Sequence, residues 1–287
     1  MFRRYGIVGL LMILFAEVNF LLKIEPFATW YFPIVWFGYI LVIDALVYML
    51  RSDSYLMNRK KTLFWMFIAS AVFWWVFEFI NSGGVSNWTY GSDSGVTSGI
   101  NQLLPTAFIQ FIYKAIAFST VLPAFLETYE LIMAVHLFDK FKLRRKHDVG
   151  KPLILGMLIF GLFCLIGPLV WPKYLFPLVW MSFFFLLDPI NYLHKQPSII
   201  GHLKDRKLKI PLTLMLAGLI CGFFWEFWNY WAKIKWYYDI PIVGFFKIFE
   251  MPILGYGGYL PFALELYAMW YFVVYLYNRE VKHLKLH

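Results

Sequence analysis

Charge is what this chain has least of. Only 15% of its 287 residues are charged, against 61% hydrophobic, which excludes an ordinary water-soluble domain of this length. Cysteine is nearly absent too: Cys164 and Cys221 each lie inside an apolar run without metal-type spacing, which excludes a disulfide framework and points to two buried thiols. The six histidines, His136, His147, His194, His202, His283 and His287, fall at the ends of apolar runs or in basic loops. That placement excludes a histidine-box iron, haem or zinc centre inside the runs. No P-loop, GxGxxG or nucleophile-elbow motif is present, nor the paired Asp-rich motifs of magnesium-dependent prenyl transfer. The expectation is a protein with no metal and no cofactor.

Long hydrophobic runs take the place of what is missing. Eight stretches, 6–22, 33–50, 63–80, 117–138, 152–170, 175–193, 210–228 and 258–277, are each long enough to cross a hydrocarbon core, which needs about 20 mostly apolar residues. In lipid they must be helices, because open strands cannot satisfy their backbone groups there. The fold class expected is therefore all-α, a polytopic membrane protein. MFRRYGIVGLLMILF has basic residues before an apolar run but no small-residue cleavage site after it, and reads as the first membrane helix.

The formal charge of +9 could suit nucleic acid, but the basic residues lie between the apolar runs. All of the 26 except Lys23, Lys114, Lys173, Lys233, Lys235 and Lys247 fall on one side of the predicted spans. The positive-inside rule makes that side, and with it both termini, cytoplasmic. The opposite loops carry Trp30, Tyr31, Trp88, Tyr90, Trp171, Tyr174, Trp231, Trp236 and Tyr238, as an aromatic belt would. Localisation in a cytoplasmic or inner membrane follows, with membrane lipids as partners and no nucleic acid. The run KFKLRRKH reads as a cytoplasmic anchor or a contact to lipid headgroups.

The chain also repeats itself. FPIVWFGYILVIDALVY, ending at Tyr48, matches FPLVWMSFFFLLDPINY, ending at Tyr192, so that Asp44 answers Asp188. Glu78, Asn81, Trp88, Tyr90, Pro123, Glu127 and Tyr129 answer Glu226, Asn229, Trp236, Tyr238, Pro261, Glu265 and Tyr267 at equal local spacings. The organisation expected is two tandem parallel four-helix repeats, 1–140 and 152–287, joined by a basic cytoplasmic linker at 141–151. Segments 100–117 and 240–257, interrupted by Pro105, Pro241, Gly244, Pro252, Gly255 and Gly257, read as re-entrant or interfacial half-helices covering the polar residues. The stretch 81–99, rich in Ser and Gly, reads as an exposed loop.

Carboxylates inside such helices cost about 2.5–3.5 kcal/mol each at a span centre, which marks them as candidates for function. Glu78, Glu127, Glu226 and Glu265 are expected in the outer half of the bilayer, with Asp44 and Asp188 deeper. A neutral carboxylic acid can donate a proton and an ionised neighbour can accept one. Glu226, Glu265, Glu78 and Glu127, with Asn229 and Asn81, are the candidate catalytic residues. Trp236, Tyr238, Trp88, Tyr90, Glu250 and Tyr267 are candidates for substrate contact. The competing reading is that acids, Asn, Tyr and Trp cross-link helices through hydrogen bonds, which suits Asp44 and Asp188 best.

From Trp236 to Glu265 the chain resembles the membrane domains of lycopene cyclases and related carotenoid end-group enzymes. The resemblance rests on an acid-bearing helix followed by Trp-x-Tyr, a Gly, and a Pro and Glu opening the next helix. Glu226, Trp236, Tyr238, Gly244, Pro261 and Glu265 follow that order, as do Glu78, Trp88, Tyr90, Pro123 and Glu127. The family's Pro-x-Glu-Glu is not reproduced, and each half here has an extra helix. The resemblance implies acids that protonate a polyene end and remove a proton after the cation rearranges, with aromatic faces stabilising the cation. The leading expectation is thus a cofactor-independent acid/base enzyme, of cyclase, isomerase or hydratase type, on an isoprenoid or other lipid-soluble substrate. The alternatives are a non-catalytic subunit or lipid-binding scaffold working with other membrane subunits, and a proton-coupled transporter.

Overall fold

The computed structural model describes residues 1–83, 87–92, 103–104, 106–146, 148–240 and 243–284. Pro105, Pro241, His147, Lys285, His287 and most of the 81–99 loop lie outside the described residues. In order, the elements are α1 (Arg4–Leu22), α2 (Tyr31–Arg51), α3 (Tyr55–Asn58), α4 (Lys60–Asn81), β1 (Trp88–Ser92), α5 (Ala107–Ser119) and α6 (Val121–Ala134). Then come α7 (Lys151–Val170), α8 (Pro172–Leu175), a 3₁₀ turn (Phe176–Leu178), α9 (Val179–Leu193), α10 (Ile199–Lys204) and α11 (Lys209–Trp231). The chain ends with β2 (Ile234–Tyr238), β3 (Lys247–Ile248), β4 (Met251–Pro252), a second 3₁₀ turn (Ile253–Gly258) and α12 (Tyr259–Leu284). Among the described residues, 8 helical segments are long and apolar enough to cross a membrane.

Two expectations need correction. The fourth span begins at Ala107 and runs to Ala134, so most of the supposed re-entrant segment 100–117 is its first half. Thr106 caps it, its hydroxyl accepting from Ile109 N at 3.2 Å. The span breaks at Thr120, where Pro123 cannot donate to the helix ladder. Ser70 of α4 fills the break: its hydroxyl donates to Phe118 O at 2.6 Å and accepts from Leu122 N at 2.9 Å. Backbone groups freed inside a membrane are tolerated when a neighbouring side chain takes them up in this way. The second supposed half-helix, 240–257, is a small β3–β4 hairpin followed by a 3₁₀ turn among its described residues. Its Pro and Gly residues, with Phe246 and Phe249 at positive φ, suit turns and oppose a helix.

The chain packs as two compact units, 1–135 with 220–256, and 136–219 with 257–287. In the first unit α1 and α2 run antiparallel at close range. A Cβ on Gly9 would stand 2.6 Å from Gly38 O, and one on Gly38 would stand 2.8 Å from Gly9 O. Small residues let membrane helices approach where no hydrophobic driving force would bring them together. The other end of α2 carries Asp44, fully buried, which accepts from Tyr5 OH at 2.6 Å, Ser54 Oγ at 2.8 Å and Leu56 N at 2.8 Å. It thereby holds the start of α3. In the second unit Asp188 does the same for α10, accepting from Ile199 N at 2.6 Å and Ile200 N at 2.9 Å. Ser54 and Ser198, ten residues beyond each aspartate, are the N-caps of the two short helices. The structural role expected of the two aspartates is the one they have in these units.

The contact of α1 and α2 yields a test. Gly38→Val should lower the thermal midpoint in detergent, at a cost of about 1–3 kcal/mol for overpacking. Gly156, where an added Cβ meets nothing within 4 Å, is the control; Gly156→Ala should raise the midpoint slightly.

Candidate functional site around the Trp-x-Tyr ribbon

α4 ends at Asn81 and the C-terminal part of α11 carries Asn229, and each asparagine binds the strand that follows. Asn81 donates Nδ2–H to Trp88 O at 2.9 Å and accepts from Asn87 N at 2.9 Å. Asn229 donates to Trp236 O at 2.9 Å and accepts from Trp236 N at 2.9 Å. A side-chain amide has a donor and an acceptor side by side, as a strand neighbour does, and so supplies an edge partner where no further strand lies among the described residues. The two strands, β1 and β2, pair antiparallel with Thr89 opposite Tyr237, Trp88 opposite Tyr238 and Tyr90 opposite Trp236. Directly paired residues share a face, which gathers both tryptophans and both hydroxyl-bearing tyrosines of the two Trp-x-Tyr motifs on one side. The expected exposed loop is therefore corrected at these residues: Trp88 is 4% exposed and anchors a strand.

The glutamates one turn before the asparagines receive the hydrogen bonds of this face. Glu78 Oε1 accepts from Trp88 Nε1 at 2.8 Å and from Tyr90 OH at 2.7 Å. Lys114 of α5 stands 3.8 Å from Glu78 Oε2 and 4.1 Å above the Tyr90 ring. Glu226, fully buried, accepts from Tyr238 OH at 2.8 Å, and that hydroxyl in turn accepts from Trp236 Nε1 at 2.8 Å. The two tryptophans thus differ: one indole N–H reaches the carboxylate, the other reaches the tyrosine. Burial first, then the charge of Glu78, holds the Tyr90 phenol well above its ordinary range, so it remains a donor. Glu250, the remaining acid of this region, pairs with Lys235 at 3.3 Å, whose ammonium lies over the Tyr230 and Tyr237 rings. Phe32 meets the Trp236 ring edge-on at 5.3 Å.

Of the predicted residues, Glu78, Asn81, Trp88, Tyr90, Glu226, Asn229, Trp236, Tyr238 and Glu250 belong to the first unit and surround the ribbon. Glu127 belongs to the same unit but not to this cluster. It lies twenty residues into its span and one turn before Glu130, which pairs with Arg51 and Arg59 at the arginine-bearing end. Its expected place in the outer half of the bilayer, with Glu78, is corrected, and the cause is the earlier start of the span. Fully buried, Glu127 faces Asp44. Glu265 and Tyr267 belong to the second unit. Glu265 accepts from Phe183 N at 2.7 Å and Ser182 Oγ at 3.3 Å, and Tyr267 OH meets His202 Nε2 at 2.9 Å.

Sequence reading missed Glu17 of α1, which accepts from Tyr31 OH and Trp228 Nε1, each at 3.1 Å. An acid inside an apolar run was the criterion applied elsewhere, and it identifies Glu17 as well. Glu25, also missed, pairs with Lys233. Burial opposes ionisation of Glu25, but Lys233 and Thr29 outweigh it and hold its carboxyl below the usual range. Among the described residues no three His, Cys, Asp or Glu side chains converge as a metal-binding group.

Compared with protein-family models, curated proteins and solved structures, the chain has no match in any of the three.

Two outcomes follow from these bonds. Asn229→Ala leaves the N–H and C=O of Trp236 without their side-chain partner, at about 1–3 kcal/mol for each group. Hydrogen exchange at the Trp236 amide, read by mass spectrometry, should accelerate by about fivefold or more, with Asn81→Ala acting likewise at Asn87. His202 is held below its ordinary value of 6.5 by burial first and by Lys207 second. The unfolded chain therefore binds the proton more readily, so stability is flat above that value and falls as pH drops below it. The thermal midpoint of His202→Gln should lose that acid-side dependence relative to the parent.

Proposed function

We propose that this integral membrane protein carries out cofactor-independent acid/base chemistry on an isoprenoid or other lipid-soluble substrate at the face of the Trp-x-Tyr ribbon. The observation that carries the reading is the Trp236, Tyr238, Glu226 chain of hydrogen bonds, with a fully buried carboxyl at its end. A carboxylic acid there would deliver its proton to an alkene carbon, leaving a carboxylate and a carbocation. Loss of a neighbouring proton to that carboxylate, or to Glu78, would give a rearranged alkene with no oxidant or reductant consumed. Indole and phenol faces favour such a cation. The resemblance to the lycopene cyclase domains supports the isoprenoid as substrate class, and composition supports the membrane setting.

Two tandem repeats with both termini on the cytoplasmic side belong to the same proposal. The aspartate that holds a short helix and the asparagine that binds a tryptophan strand both occur twice, which supports the repeat, and the distribution of basic residues supports the orientation.

A second reading, a non-catalytic scaffold subunit, is favoured by that same recurrence. A fastener is needed in each half, whereas a single active site is not.

Glu226→Gln and Tyr238→Phe separate the readings. Product formation, followed by untargeted lipid and pigment extraction from expressing cells, should fall by about 10²-fold or more, as loss of a general acid/base does. Unchanged lipids and pigments with fully assembled protein would sink the enzyme. The scaffold would instead show reduced co-purification of partner chains.

A further inference from the structure

The basic linker read from sequence as an anchor is built into a definite surface in the second unit. The backbone at 142–143 pairs with that at 206–207. Leu143 N donates to Arg206 O at 3.1 Å, Arg206 Nε donates to Leu143 O at 2.7 Å, and an antiparallel bridge sets Lys142 opposite Lys207. Lys209 holds Asp139 at the near edge of the same segment. Like charges directly opposite each other across a strand pair destabilise it. Here the compensation is slight: Lys207 has an exposed pair with Asp205 at 3.4 Å, a contact of little worth. Among the described residues no ion pair engages Lys142, Arg144, Arg145 or Lys146, all exposed. Two basic segments are thus fastened together by backbone bonds and left short of anions.

Position decides which anion. The apolar span α11 begins at Lys209, two residues beyond the bridge, and α7 begins at Lys151, nine residues beyond Lys142. The bridge therefore lies two residues from the start of one apolar span and nine from the start of another, and clusters of Lys and Arg next to a span attract anionic lipids. We infer that the Lys142/Lys207 bridge, with Arg206 and the free Arg144 and Arg145, is a binding site for the phosphate headgroup of an anionic phospholipid. The lipid phosphate completes the like-charged bridge and ties the linker to the membrane surface.

The test uses the full chain, delipidated in zwitterionic detergent and titrated with phosphatidylglycerol or phosphatidylcholine in mixed micelles, with binding read by native mass spectrometry. The parent should prefer phosphatidylglycerol, and Lys142→Ala with Lys207→Ala should weaken that preference by about 30-fold, from about 1 kcal/mol for each basic residue. Lys60→Ala with Lys61→Ala, exposed basic residues that open a span of the first unit, should weaken it by clearly less, and an equal loss there would overturn the site. Equal binding of the two lipids by the parent, or an unweakened double variant, would overturn the site. If the double variant does not fold, the parent decides: raising salt from about 0.1 M to 1 M shortens screening from about 10 Å to 3 Å and should abolish the preference. A preference indifferent to salt rejects the inference. Inorganic phosphate displacing the lipid at equal concentration would reassign the site to a free anion and overturn the lipid.

Discussion

In hydrocarbon a polar group inside the fold is costly unless another part of the chain answers it. Most of the irregular structure follows from that constraint. Asn81 and Asn229 bond the edges of the ribbon as strand neighbours would, Ser70 repairs a broken helix, and Asp44 and Asp188 take up the N–H groups at the starts of short helices. Each arrangement uses a side chain that is costly in lipid to satisfy a backbone that would be costlier. The polar residues that drew attention as a candidate site are therefore first of all the means by which apolar helices can bend, stop and turn. Any chemistry at the ribbon uses groups already oriented by that work.

How much of this was legible in the sequence depended on whether the signal was local. Hydropathy located seven spans to within a few residues, and equal spacing marked Asn81 with Trp88 and Asn229 with Trp236 as corresponding positions. What hydropathy could not do was start the fourth span correctly. Pro105 made 100–117 read as a re-entrant half-helix, whereas the span takes in both polar residues of 107–117: Gln110 bonds Leu104 O at 2.9 Å and Lys114 finds Glu78 and the Tyr90 ring. The partners of Lys114 are distant along the chain, Tyr90 in a stretch read as a loop, so no local signal admitted a lysine there. The ribbon was hidden for the same reason. Strand pairing between residues about 150 apart leaves no local period, and five residues among aromatics read as a belt.

The error in the fourth span matters because it moved a glutamate. Pro123 with Glu127 and Pro261 with Glu265 have identical spacing, and identical spacing invites identical depth. But α5 adds a dozen residues before Pro123, whereas α12 begins only two residues before Pro261. Glu127 consequently approaches Asp44 and the arginine network around Glu130. A motif transfers local geometry faithfully, while its position in the membrane depends on where the helix starts.

The same distinction bears on the two glutamates that do share the ribbon. Glu78 faces Trp88, Tyr90 and Lys114, three donors, which is the set an acceptor-only group requires. At Glu226 the indole N–H of Trp236 goes to Tyr238 instead, so the tyrosine is polarised by one neighbour and donates to the next. A hydroxyl that accepts and donates at once is polarised from both sides, and Tyr90, approached by Trp74 and Trp88 as it donates to Glu78, shares that arrangement. Equal motifs have thus been given unequal partners: Lys114 stands beside Glu78, and the Trp236 indole N–H bonds Tyr238 rather than the carboxylate.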